Sequence, residues 1–124
     1  MNYNGVIIEE SLSNKSVLDK VKIVKTRVEQ VTAKHKTPWL RQWTLHAVEI
    51  NASDADNVAE LISNSIDNEH NSWYADFKND KCHYIIFHEK VFKISRGNSY
   101  RDARAFGLSL GIPQYQMSFE RLKR

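Results

Sequence analysis

One cysteine, two prolines and four glycines are spread over 124 residues. A single thiol excludes an internal disulfide framework, so packing alone must hold the core. Only Gly107 and Gly111 lie near one another, and both fall where a helix ends, so no glycine-rich phosphate loop is present. Repeats, low-complexity tracts and Gly/Ser linkers are all missing. No apolar run approaches the ~20 residues that a membrane-crossing helix requires. The opening Met-Asn-Tyr-Asn-Gly lacks the basic and apolar regions of a secretory signal. The expectation is one domain over residues 1–124, cytoplasmic and without membrane contact.

What is present suits an ordinary globule: 41% apolar and 27% charged residues, in a chain long enough for one core. The net charge of +3 conceals zoning. From Lys15 to Trp43, eight Lys/Arg stand against Asp19 and Glu29; from Ile50 to Asp80, seven acids stand against Lys78; from Lys81 onward, nine bases stand against three acids. Such segregation suits an acidic partner or complementary faces in self-association.

The pattern of residues outlines the elements. Gly5 to Glu9 reads as a strand opened by glycine. Ser16-Val-Leu-Asp19 has the form of a capping box and starts a short helix. Val17, Val21, Val24, Val28 and Val31 keep helical spacing, yet residues 22–32 are crowded with Val, Ile and Thr. Their stiff χ1 angles favour a strand there. Lys34 to Leu40 is a basic loop, and Gln42 to Ile50 alternates as a strand. Ser53 to Asp56, a second capping box, opens a helix with Ala55, Val58, Ala59, Ile62 and Ile66 on one stripe. Ser72 to Ser95 reads as a three-stranded meander turning at Asn79-Asp80. Ser99 to Asp102 begins a last helix that turns Tyr100, Ala103, Phe106 and Leu110 inward, with Gly111 as a left-handed cap. Tyr115 to Phe119 is expected to add a short strand. The class is α+β: a mostly antiparallel sheet with helices packed on one face, a ferredoxin-like variant with an extra C-terminal hairpin and helix.

Reactive groups concentrate between His70 and His88, which hold three of the five histidines and the cysteine. A two-residue turn at 79–80 would pair Asp76 with His83 across the hairpin and Tyr74 with Ile85. Cβ atoms of such a pair lie about 4.5–5.5 Å apart. A carboxylate beside an imidazole holds its tautomer and raises its basicity, which a general base needs. Asp76, His83 and Tyr74 are therefore the candidate catalytic residues. The same alternation sends Cys82 and His88 to one face and His83 to the other, so the three cannot converge on a metal; no metal or cofactor is expected. A pair so near a turn is also an ordinary surface stabiliser. Lys34, Lys36, Trp39 and Arg41 form a second candidate, a basic and aromatic platform for nucleic acid. His46 is expected to be a hydrogen-bonded sheet residue.

Thr37-Pro-Trp-Leu40, Trp43-Thr-Leu-His46, Trp73-Tyr-x-Asp-Phe77, Lys90-Val-Phe-Lys93 and Gly107-x-Ser-x-Gly-Ile-Pro-x-x-Gln116 occur together. On these the chain resembles a group of small prokaryotic α+β proteins without an assigned activity, over roughly residues 37–119. The resemblance implies a free-standing small domain and brings no catalytic residues. Gly107 to Gly111 does not form a nucleophile elbow, since an elbow begins a helix and this segment ends one.

The first expectation for function is a binding or regulatory module, self-associating because both faces of the meander carry apolar side chains that few helices could cover. A small ligand or an acidic partner is compatible with it. The alternatives are a small-molecule enzyme using Asp76 and His83, and nucleic-acid binding through residues 34–43.

Overall fold

The computed structural model describes residues 1–70 and 72–119; the final five residues of the expected domain range lie outside it. Six strands make one sheet: β1 (Tyr3–Ile8), β2 (Lys22–Gln30), β3 (Gln42–Ile50), β4 (Tyr74–Lys78), β5 (Cys82–Phe87) and β6 (Lys90–Ser95). Their order is β2-β3-β1-β4-β5-β6, with every neighbouring pair antiparallel. Two α-helices, α1 (Ala55–Ser65) and α2 (Arg101–Ser109), join short 3-10 segments such as Lys15–Lys20 and Ala33–His35. The α+β class stands. The β-helix-β-β-helix-β succession runs through residue 78, although its first helix is only 3-10. Among the described residues no helix is long and apolar enough to cross a membrane.

The Val-rich segment resolves as the strand β2, at one edge of the sheet. There Val24 and Val28 stay exposed, because an edge strand beyond the reach of both helices buries little. On α1, Ala55, Val58, Ala59, Ile62 and the following Ile66 are all buried, as the stripe requires. They close over Tyr3, Ile7, Ala75, Phe77, Tyr84 and Ile86 in one core cluster. Val17, from the 3-10 segment before β2, joins the same cluster.

The expectation of helices on one face holds for that segment and α1 and fails for α2. Ile85 and Phe87, on the opposite face of β5, pack with Ala103, Ile112, Met117 and Phe119 in a second cluster. The sheet is thus a middle layer. Alternation along a strand sends successive side chains to opposite faces, and β5 carries Tyr84 and Ile86 on one and Ile85 and Phe87 on the other, so each face demands a cover. Leu110 departs from its expected inward position: it is exposed, and Ile112, beyond the Gly111 turn, fills the core instead. Tyr115 to Phe119 forms no strand; the 3-10 turn Gln114–Gln116 overlaps its start.

Two glycines permit close approaches. A Cβ on Gly5 would overlap the Asp76 carbonyl oxygen and lie 2.6 Å from Phe77 Cβ. One on Gly107 would overlap Met117 Sδ and lie 3.3 Å from the Phe87 ring. Gly111 takes the left-handed conformation, φ 90°, that its capping role demands.

The helix starts are capped differently from the sequence patterns. Ser16 donates its backbone N–H to Asn14 Oδ1, and Arg101 donates its N–H to Ser99 Oγ. The reciprocal box occurs elsewhere, between Thr32 and His35.

Candidate functional site

The β4–β5 hairpin decides where the reactive groups go. Its pairs are Lys78 with His83, Phe77 with Tyr84, Asp76 with Ile85 and Tyr74 with Phe87. The expected turn at 79–80 is therefore displaced by one residue. Asn79 donates its backbone N–H to the Cys82 carbonyl at 3.0 Å, while Asn79 Oδ1 accepts from Lys81 N and Cys82 N. This side-chain bridge moves the reversal onto Asp80-Lys81, the kind of local competition at which Asn excels. The register slips by two residues in total, so every side chain keeps its face.

Asp76 and His83 are accordingly diagonal neighbours instead of direct ones, and they still meet. His83 Nε2 lies 2.6 Å from Asp76 Oδ2. The carboxylate accepts, so Nε2 carries the proton; in the neutral ring Nδ1 then accepts from the Tyr100 hydroxyl, 2.9 Å away. The surface position expected for this pair does not hold. Asp76 and His83 are 4% and 3% exposed, because α2 and Phe119 fold back over this face: the Tyr100 ring lies 5.4 Å from His83 and that of Phe119 6.5 Å.

All five histidines stand beside a carboxylate, at distances from 2.6 Å for His83 to 3.6 Å for His88. An imidazole–carboxylate pair is thus common currency in this chain and singles out no catalytic group. His46 makes the sheet hydrogen bonds expected of it, to Thr26 and Glu9 at 2.8 Å each. What separates the His83 pair is burial together with position, since Asp76 forms part of a cavity wall.

That cavity, of about 310 Å³, opens on the α2 side of the sheet. Its floor is Val6 and Ile8 of β1, Trp43 and Leu45 of β3, and Tyr74 and Asp76 of β4. Helix α2 covers β5 and its neighbours but stops short of β1 and β3, so the remaining roof comes from His35, Ile112 and Gln116. Two loops distant in sequence meet there. The Lys34 carbonyl accepts from the Tyr115 hydroxyl at 2.7 Å and from Gln116 Nε2 at 2.9 Å. Tyr74 donates its hydroxyl to the Gln116 carbonyl at 2.5 Å, fixing the same segment from below. The His35 ring stands edge-on to Trp43 at 4.3 Å. Its Nδ1 accepts the Thr32 N–H, so Nε2 donates to Glu29.

The wall contains one orphan. Trp73 is 6% exposed, and its indole N–H has no hydrogen-bond partner among the described residues. A buried donor without an acceptor costs ~1–3 kcal/mol. Trp73 also packs on Trp43, with ring centroids 5.3 Å apart. Trp73, His35 and Gln116 did not stand out as site residues from the sequence, and Trp43, within the 34–43 segment considered for nucleic acid, reads there as a core residue of its strand. Tryptophan next to a strand start is ordinary core material, and only the meeting of the two loops turns these residues into a wall.

The other sequence candidates are dispersed. Cys82 and His88 share the α1 face, where His88 Nδ1 lies 2.9 Å from the Ile66 carbonyl, and His83 is on the opposite face. Asp67, Glu69 and His70 bring ligand atoms within 4.8 Å of one another, but hydrogen bonds inside the group account for that closeness. Lys34, Lys36, Trp39 and Arg41 all lie exposed on the loop between β2 and β3. Trp39 leans on His70 at a centroid distance of 5.8 Å. The meander faces that suggested self-association are covered by the chain itself: Ile85, Ile86 and Phe87 are fully buried. No protein-family model matches the chain, and neither a curated protein nor a solved structure matches it significantly.

Proposed function

We propose that this chain is a binding module for a small, largely apolar ring compound carrying one hydrogen-bond acceptor. The observation that carries the reading is a cavity at the lower end of ligand-pocket size, ~300–1,000 Å³, lined in part by Trp73, whose buried indole N–H has no partner among the described residues. An acceptor placed against Trp73 would relieve the cost of that orphan donor, and Val6, Ile8 and Leu45 supply apolar contact. The buried meander removes the earlier reason for self-association, so the reading rests on the cavity alone.

Acetophenone and ethylbenzene share a ring and differ in one carbonyl, so they make a suitable pair of probes. In proton–nitrogen spectra, acetophenone should move the Trp73 indole N–H resonance more than ethylbenzene does. Val6→Phe should abolish both effects by filling the floor. Equal response to the two probes, or an unchanged response in the Val6 variant, would sink the proposal.

A second reading, turnover of the bound molecule, draws on Asp76 standing in the cavity wall with His83 behind it and Tyr74 alongside. In that reading Asp76 moves the proton while His83 orients it. His83→Gln should then reduce turnover severely at a nearly unchanged melting temperature; loss of stability alone would assign the pair a structural role.

A further inference from the structure

Three cations gather on a second cleft, apart from the cavity. Lys78 ends β4, Lys81 sits in the following turn and Arg96 follows β6. The Arg96 N–H donates to the Lys81 carbonyl at 2.8 Å, which ties the two segments together. All three line a space of about 310 Å³ whose wall also includes His83 and Tyr100. None of the three makes an ion pair among the described residues, whereas Lys22, Arg27, Lys93 and Arg101 elsewhere do. Asp80 is the one acid on the rim, so the cleft is positive overall.

Helix α2 begins beside this cleft: its N-cap, Tyr100, is part of the wall, while the Arg101 N–H is already donated to Ser99 Oγ. Gathering like charges around one concavity is unfavourable unless an anion offsets it.

We propose that this cleft binds a phosphate-type oxyanion, held by Lys78, Lys81 and Arg96. Arg96 suits the planar, two-point recognition of such an anion, while Lys78 and Lys81 act as point charges. The space admits a single phosphate group with a small substituent. The proposal is independent of the cavity ligand. The two sites share only a partition, with Asp76 lining one and His83 the other.

The test uses the full chain with inorganic phosphate and glycerol 3-phosphate as probes, followed by calorimetry and by the ring resonances of the five histidines. Binding should appear below about 10 mM, the range of a few charge-assisted contacts, and should weaken as sodium chloride is raised. His83 ring signals should move, while those of His46 and His88 stay. Lys81→Ala and Arg96→Ala, both at exposed positions, should each weaken binding about tenfold, with partial recovery in Arg96→Lys. Tighter binding of glycerol 3-phosphate than of inorganic phosphate would assign an organic ester as the source, and equal binding a free oxyanion; either upholds the site. No binding, unchanged affinity in the double alanine variant, or an unmoved His83 ring would overturn it.

Discussion

Gly5→Ala isolates the contact between β1 and β4 on which the floor of the cavity depends. A methyl group at position 5 would overlap the Asp76 carbonyl oxygen and stand 2.6 Å from Phe77 Cβ. The overlapping atom is backbone in a paired central strand, so it cannot swing aside. Either β1 or β4 must shift, against antiparallel ladders on both flanks. Overpacking of this kind costs ~1–3 kcal/mol, and the upper end applies because the obstacle is rigid. Alanine also restricts the unfolded chain, which returns ~0.4–1 kcal/mol. The net loss is about 2 kcal/mol, or ~8 °C in melting temperature for a domain of this size. Gly107→Ala is the control. Its methyl group would overlap Met117 Sδ, the flexible part of a thioether, and alanine gains ~1 kcal/mol of helix propensity. That variant should lie within about 1 kcal/mol of the parent. Urea denaturation followed by circular dichroism measures both. A Gly5 variant as stable as the Gly107 variant would refute the rigid-contact argument, and with it the placement of Asp76 against β1.

Other perturbations separate the remaining interactions. His83→Leu removes one partner of a buried pair and should cost about 3 kcal/mol in urea midpoints, while His83→Gln, which keeps a donor, should cost less than half of that. Burial raises the hydroxyl pKa of Tyr84 above its ordinary 10, and the hydrogen bond to Asp56 adds to this. The Tyr84 and Asp56 contacts likewise raise the ordinary 10.5 of Lys93. Both pKa values are higher in the folded chain, so this stability is complete below pH 10 and fades as pH rises through the folded values. Tyr84→Phe lacks its share, and its melting-temperature deficit should shrink between pH 9 and pH 11. Met117→Ala should cost about 3 kcal/mol by leaving a hole between α2 and Phe87, measured by thermal unfolding. Tyr115→Phe combined with Gln116→Ala removes both donors to the Lys34 carbonyl. It should speed amide exchange around residues 33–36 with less than about 1 kcal/mol change in global stability.

The parts of this fold that were legible in sequence are those governed by short periods. The stripe from Ala55 to Ile66 specified α1, and two-residue alternation sorted Cys82 and His88 from His83. That sorting survived a displaced turn because a slip of two residues preserves the period. The turn itself was misplaced because Asn79 bridges to Lys81 and Cys82 with its side chain, an option that residue type alone does not rank. The cavity was not legible at all. Its walls come from segments about 80 residues apart, and nothing in Lys34 or Gln116 announces the other.

By itself the sequence determined which side chains share a face, which segment is helix and that Asp76 and His83 lie on one side of the hairpin, since these follow from the geometry of neighbouring residues. Only the tertiary structure decided that α2 would cover the face opposite α1. That return buries the Asp76–His83 pair and leaves β1 and β3 to floor a cavity. Burial and concavity belong to segments that meet in space, and a meeting between distant segments has no local period to betray it.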